Sequence, residues 1–442
     1  MEPNLNSLNI KVSTSSLLKY ALPTILSSIF MNIYSIVDQL FVSNLLGTDA
    51  LSAVSIAGPF LAIGTMIATG GCALVSHQMG KGRNETARQN FSFFMLFSVI
   101  ISTAFCALGI VFRTPILYAM GADVSLYPLC EAYAVPIFLL IPFAMVSIVL
   151  QIFFVAAGKP GLGFGLSIAG GITNTVLDYM LIAVIPLGVA GAAYATAAGY
   201  VLHSLIDVIF FFANRKGSLY FARPKFDGKA LLKACSNGMS EMVGILAVTV
   251  TMIAMNVILM DIVGSDGVAA AAIILSAQTI LSASYAGYVQ GIAPVVSYHY
   301  GAGNDTELQK LYRVALKTIA VMSGLTFAAS FPLAKPIAHL FADGSETVVA
   351  MAVRGMFIFA AAFLLMGFNL FASGFFTALN DGKTSAILSL FRTLIFLIIP
   401  LLTLPLLWGA DGVWVSMPTA EVLSVLLSIF YFRHMKDRYR YA

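Results

Sequence analysis

The run Ala132–Leu150 contains no charged residue, and that property constrains the fold more than any other. An uncharged apolar stretch of this length crosses a bilayer core as an α-helix. Near-continuous apolar runs of similar length recur along the whole chain. Of 442 residues, 59% are hydrophobic and 10% charged, against about 25% charged in a soluble domain. A soluble chain cannot hide so much apolar surface, so lipid must cover part of it. In lipid, only helices and closed barrels satisfy their backbone polar groups. Barrel strands alternate apolar and polar residues, and these runs do not. The fold class is an all-α membrane protein.

The hydropathy pattern predicts twelve spans, at 17–40, 50–76, 90–112, 132–155, 162–185, 188–213, 231–260, 268–297, 314–334, 348–377, 385–407 and 411–432. An even number puts both termini on one side. With the N-terminus inside, only Arg113, Lys335 and Arg354 of the 24 Lys and Arg fall outside. That asymmetry follows the positive-inside rule, so a multi-pass plasma-membrane protein with cytoplasmic termini is expected. Residues 1–16 lack the basic-then-apolar pattern of a cleaved signal, so the first span should act as an uncleaved insertion signal. The net charge of +4 is modest and its basic residues sit in short loops, which argues against a nucleic-acid partner. Cys72, Cys106, Cys130 and Cys235 show no pairing or metal-ligand spacing and read as small apolar residues.

The chain repeats itself. Gly47-Thr-Asp-Ala-Leu-Ser-Ala-Val reappears as Gly264-Ser-Asp-Gly-Val-Ala-Ala-Ala, and Leu74-Val-Ser-His-Gln-Met-Gly-Lys-Gly as Val295-Val-Ser-Tyr-His-Tyr-Gly-Ala-Gly. Leu187-Gly-Val-Ala-Gly matches Trp408-Gly-Ala-Asp-Gly. Each half holds six spans, so both halves share one orientation. Two pseudo-symmetric six-helix bundles are expected, 1–213 and 231–442, joined by a basic cytoplasmic linker at 214–230 and ending in a basic tail. Such repeats suit transporters that rock two bundles about a central cavity.

No phosphate loop, His-Glu-x-x-His or nucleophile elbow occurs, so ATP hydrolysis and hydrolase chemistry are not expected. The informative residues are charges inside spans, each costing about 2.5–3.5 kcal/mol at the bilayer centre. Asp38 and Asp178 fall in the outer halves of their spans. Tyr34 is one turn before Asp38, Asn174 one turn before Asp178, and Ala192 and Thr196 lie early in the sixth span. All six share a depth in the first half. Two carboxylates brought together share a proton or bind a cation. Oxygens from Asp38, Asn174, Asp178 and Thr196 with a backbone carbonyl would suit Na⁺, a lone dyad would suit H⁺, and the bland alternative is helix packing. The second-half equivalents are Met255, Ile395 and Ile399, so coupling is expected in the N-terminal bundle.

Pro23 is a hinge or a static kink in the first span. Glu241 faces the central cavity or pairs with Lys233. Glu421 and Arg392 should form a structural pair. Asp207, near an inner span end, is expected to be solvated. His77 and His299, at equivalent inner ends, read as interface residues.

The first span Pro23…Tyr34-x-x-x-Asp38, the motif Asn174-x-x-x-Asp178…Ala192-x-x-x-Thr196, and Gly291-Ile-Ala-Pro-Val-Val-Ser-Tyr-His-Tyr-Gly-Ala-Gly-Asn resemble the multidrug and toxic compound extrusion (MATE) family. The resemblance covers the whole chain and is similar to the bacterial multidrug-efflux branch. It implies a V-shaped pair of bundles and export of cationic, amphipathic drugs in exchange for H⁺ or Na⁺, with no other cofactor. It also implies that Asp38, Asn174, Asp178, Ala192 and Thr196 form a cation site. Some members carry carboxylates in the seventh and tenth spans; here the seventh has Glu241 and the tenth only Asn369. Glu241, Gln278 and Asn369 are therefore the cavity candidates. A monomer with a drug-like substrate is expected. The alternative is a flippase for a lipid-linked precursor, which would favour a more basic cavity and often extra spans.

Overall fold

The computed structural model describes residues 7–46, 58–119, 124, 127–342 and 345–442, with side chains at 37–46, 58–61, 119 and 183 outside the description. The first copy of the Gly47 motif lies outside the described residues, and so does the side chain of Asp38. Every regular element among the described residues is helical.

Chain order runs α1 (Thr14–Leu46), α2 (Gly58–Gly80), α3 (Asn84–Val111), short α4 (Arg113–Ala119), α5 (Tyr127–Ala156), α6 (Pro160–Asp178) and α7 (Val189–Ala213). Then follow α8 (Gly228–Ile262), α9 (Ser265–Gly301), α10 (Asp305–Phe341), α11 (Glu346–Ala378), α12 (Gly382–Leu390), α13 (Phe396–Thr403), α14 (Pro405–Trp408) and α15 (Ala410–Tyr439). A π-helical segment, Tyr179–Val184, extends α6, and another, Phe391–Ile395, joins α12 to α13. Among the described residues, ten helical stretches are long and apolar enough to cross a bilayer. α2 and α6 with its π extension complete twelve. The helices overrun the hydropathy windows because polar first and last turns continue the same hydrogen-bond ladder.

The sequence repeat reappears in the turns. Gly82 and Gly303 both take positive φ (71° and 67°), as do Gly188 and Gly409 (61° and 55°) and the pair Gly158 and Asn380 (70° and 60°). The left-handed region costs a Cβ-bearing residue energy, so equivalent turns in the two halves use residues that tolerate it. Starts are capped in the usual way: Asp381 Oδ1 accepts from Thr384 N at 3.3 Å, and Asn304 Oδ1 from Glu307 N at 3.2 Å.

The chain divides into two compact units, Met1–Asn9 with Phe30–Gly238, and Ile10–Ile29 with Met239–Ala442. In the first, an apolar cluster of α5 and α7 includes Tyr133, Phe138, Ile141, Ala192 and Ala193. Linker residues are tied down here. The Arg88 guanidinium donates to Ser218 O at 3.1 Å and lies 4.2 Å from the Tyr220 ring, and Ala222 N donates to Ser92 Oγ at 2.9 Å. In the second, Trp414 is buried against Met356, Phe359 and Phe363. His299, expected at an interface, is instead buried and faces Ile10 O at 3.2 Å. Val248, Ile253 and Val257 on α8 are exposed, the apolar outer face a lipid-covered helix presents.

Candidate functional site

α6 and α7 pack against each other in the first unit, and their shared seam carries the polar residues singled out above. Asn174 is 2% exposed, as is Asp178 one turn on. With the Asn174 amide oriented to satisfy both ends, its Nδ2 donates to Asp178 Oδ2 at 2.8 Å and to the Tyr34 hydroxyl at 2.6 Å. Its Oδ1 accepts from Thr196 N at 2.9 Å and Thr196 Oγ1 at 3.3 Å. One buried amide thus ties together α1, α6 and α7. Such a network is expensive if broken in a medium with no competing water.

Local sequence explains how the three helices come close. Gly171 leaves room for the α1 aromatics: a Cβ there would stand 2.8 Å from Phe30 Cε1 and 3.6 Å from Tyr34 Cδ2. Phe30 and Tyr34 stack with centroids 6.4 Å apart. The π-helical segment begins right after Asp178, the kind of ladder break that clusters at functional sites. Ala192, one turn before Thr196, buries its methyl in the α5–α7 apolar cluster. It can offer the site only its backbone carbonyl. Asp38 lies in α1 one turn beyond Tyr34, and its side chain is outside the described residues. α1 stays helical through Pro23, although proline leaves the Lys19 carbonyl without its ladder donor. Next to it, Thr24 Oγ1 donates to Ala21 O at 2.9 Å.

The cavity candidates lie elsewhere, in the second unit. Asn369, expected on a cavity wall, is enclosed: its Nδ2 donates to Glu421 Oε2 at 2.6 Å and Glu421 O at 3.0 Å, and its Oδ1 accepts from Ser428 at 3.0 Å. The expected Glu421–Arg392 pair is present, with Nε to Oε1 at 3.2 Å. Glu241 is half-buried on α8. Gln278 is half-buried on α9. No group of three or more His, Cys, Asp or Glu placed to hold a metal occurs among the described residues.

Asp207 corrects the expectation of solvation: it is 0% exposed. Position along the span gave its depth, but not the covering by neighbouring helices. His203 lies beside it, with Gln151 and Ser167 beyond, three residues with no expected role from sequence. Their signal was the repeated seven-residue spacing, Ser167 to Asn174 and Thr196 to His203, which puts each pair on one helix face.

The MatE family pattern matches residues 23–180 and 242–402, one stretch in each half. The chain belongs to the MatE family. Its MatE relatives include a multidrug export protein, MepA, of Staphylococcus saprophyticus, 24% identical over 433 residues and covering 96% of this chain and 94% of that one. Among solved structures, a MATE in complex with MaL6 superposes with a TM-score of 0.92 at 20% identity, covering both chains fully. An outward-facing MATE transporter of the MOP superfamily gives 0.91 at 20% identity with the same coverage. The fold of this MatE chain is therefore that of the twelve-helix membrane transporters, as the span count and internal repeat predict.

Proposed function

We propose that this chain is a secondary active transporter that exports cationic or amphipathic drug-like compounds by antiport with H⁺ or Na⁺. It would act as a monomer in a bacterial plasma membrane, with both termini in the cytoplasm. The observation that carries the coupling is the buried Asn174 amide, held at once by Asp178, Tyr34 and Thr196. A carboxylate kept in a membrane-crossing bundle is a functional site by default. The substrate class rests on the staphylococcal relative, a multidrug export protein. Inward ion and outward drug alternately stabilise two bundle arrangements, with Asp38 joining the cluster and Pro23 taking up the bend in α1. Glu241, with Gln278, would attract the cationic substrate in this reading.

The test is efflux of a cationic dye from proteoliposomes, with a pH gradient or a Na⁺ gradient imposed one at a time. Efflux driven by the pH gradient alone supports the reading. Efflux at the same rate with no gradient of either ion would refute antiport.

A further inference from the structure

Two turns along the α6–α7 seam from Asn174 and Thr196 lies a second buried polar group that the transport reading leaves unused. Ser167 on α6 and His203 on α7 stand seven residues from Asn174 and Thr196, about 10 Å along the helices. Between these levels sit Gly170 and Gly199. A methyl added at Gly199 would stand 3.4 Å from Asn174 Cβ, and one added at Gly170 would stand 3.6 Å from His203 Nδ1. Glycine backbone thus separates the two polar levels at this crossing, and His203 Nδ1 faces it.

The other ring nitrogen faces away. His203 Nε2 lies 3.1 Å from Gln151 Oε1 and 3.6 Å from Asp207 Oδ2. Gln151 is oriented by its own bonds: its Nε2 donates to Ser167 Oγ at 2.6 Å and Gly163 O at 3.1 Å. Its oxygen is thereby an acceptor, which sets the proton of a neutral His203 on Nε2. Asp207 is fully buried, and neither carboxylate oxygen has a hydrogen-bond partner. Among the described residues His203 is the basic group paired with it; α5 and α6 contribute the uncharged Gln151 and Ser167. An unsatisfied buried carboxylate is costly, and packing alone would be served by leucine or asparagine.

We propose that His203 and Asp207 form a second proton-holding site in this bundle, which takes the proton from the Asn174–Asp178 level and carries it toward the linker end. A proton bonds to His203 Nδ1, the Nε2–H bond breaks, and that proton passes to Asp207 Oδ2. Asp207 then releases that proton toward the linker end, which leaves the ring protonated on Nδ1; the reset breaks this Nδ1–H bond and re-forms Nε2–H, the same proton moving from one ring nitrogen to the other. The loaded pair is neutral, and the emptied pair carries one negative charge that draws the next proton. One turn past Asp207, Phe211 is buried against Phe91, Phe154 and Phe221, with centroids 5.0, 4.9 and 6.0 Å away. Aromatic rings therefore lie on the linker side of the pair in this conformation, which suits a site that holds its proton between steps.

The proposal rests on the antiport reading, and the experiment separates the two. Wild type, Asp207→Asn and His203→Gln are compared in proteoliposomes by two assays. One is dye efflux driven by a pH gradient. The other is dye counterflow with no gradient, which needs substrate binding and alternation but no net proton passage. Both variants should lose about a hundredfold in pH-driven efflux, the scale a positioned proton-transfer group supplies, and keep counterflow within about twofold. Unchanged pH-driven efflux in either variant overturns the proton-holding site and leaves antiport standing. Loss of counterflow in both assigns the pair to packing and overturns it as well. A wild type that ignores the pH gradient shows that proton antiport itself has failed, and this site with it.

Discussion

Gly171→Ala tests whether the geometry of the Asn174 cluster depends on how closely α1 lies on α6. The new methyl would stand 2.8 Å from Phe30 Cε1 and 2.9 Å from Cζ. Ordinary contact begins near 3.4 Å, so the ring must retreat by about 0.6 Å. Tyr34 is stacked on Phe30 at an interplanar angle of 11° and is carried the same way. The 2.6 Å bond from Asn174 to the Tyr34 hydroxyl would stretch toward about 3.2 Å, the long end of the range. Overpacking of this kind costs about 1–3 kcal/mol. Charged against the coupled state, that is about a 5- to 150-fold loss of gradient-driven efflux. Gly165→Ala on the same helix is the control: nothing lies within 4 Å of its added Cβ, and alanine there should stabilise α6 by about 0.5–1 kcal/mol. The assay is dye efflux from vesicles with matched amounts of protein, alongside thermal melting in detergent. If Gly171→Ala transports as well as Gly165→Ala, the cluster does not depend on this contact and the reasoning fails.

Arg392→Gln removes the cation from Glu421, which is 2% exposed. It should cost about 3–5 kcal/mol, read as a lower melting temperature, with Arg392→Gln/Glu421→Gln recovering most of it. Gly70→Ala drives a Cβ into the Ala234 carbonyl oxygen. Backbone cannot swing aside as the Phe30 ring can, so this variant should yield less monodisperse protein than Gly171→Ala in size-exclusion chromatography. Equal yields would contradict that ranking.

Much of the architecture was legible because lipid enforces simple rules. Uncharged runs of spanning length, the basic-residue asymmetry and the internal repeat predicted twelve helices in two halves, and the positive-φ residues at Gly82 and Gly303, and at Gly188 and Gly409, echo that repeat. One-turn spacing placed Asn174, Tyr34, Asp178 and Thr196 at one depth, where their hydrogen bonds now meet. What the sequence did not yield was orientation about the helix axis. Depth along α7 suggested solvent for Asp207, yet that face of α7 is covered by its neighbours. Asn369 looked available for a cavity because its partner Glu421 lies 52 residues away on another helix. The π-helical segments at Tyr179–Val184 and Phe391–Ile395 have no composition signal, since they arise from how a helix meets its neighbours.

Proton movement measured against dye movement shows whether the Asn174–Asp178 cluster converts an ion gradient into export. A pH indicator trapped inside proteoliposomes reports protons while dye fluorescence reports substrate, for wild type, Asp178→Asn and Asp38→Asn. Wild type should move protons opposite to the dye, and each variant should still bind dye while moving no protons. Proton movement in Asp178→Asn equal to that of wild type would contradict the account.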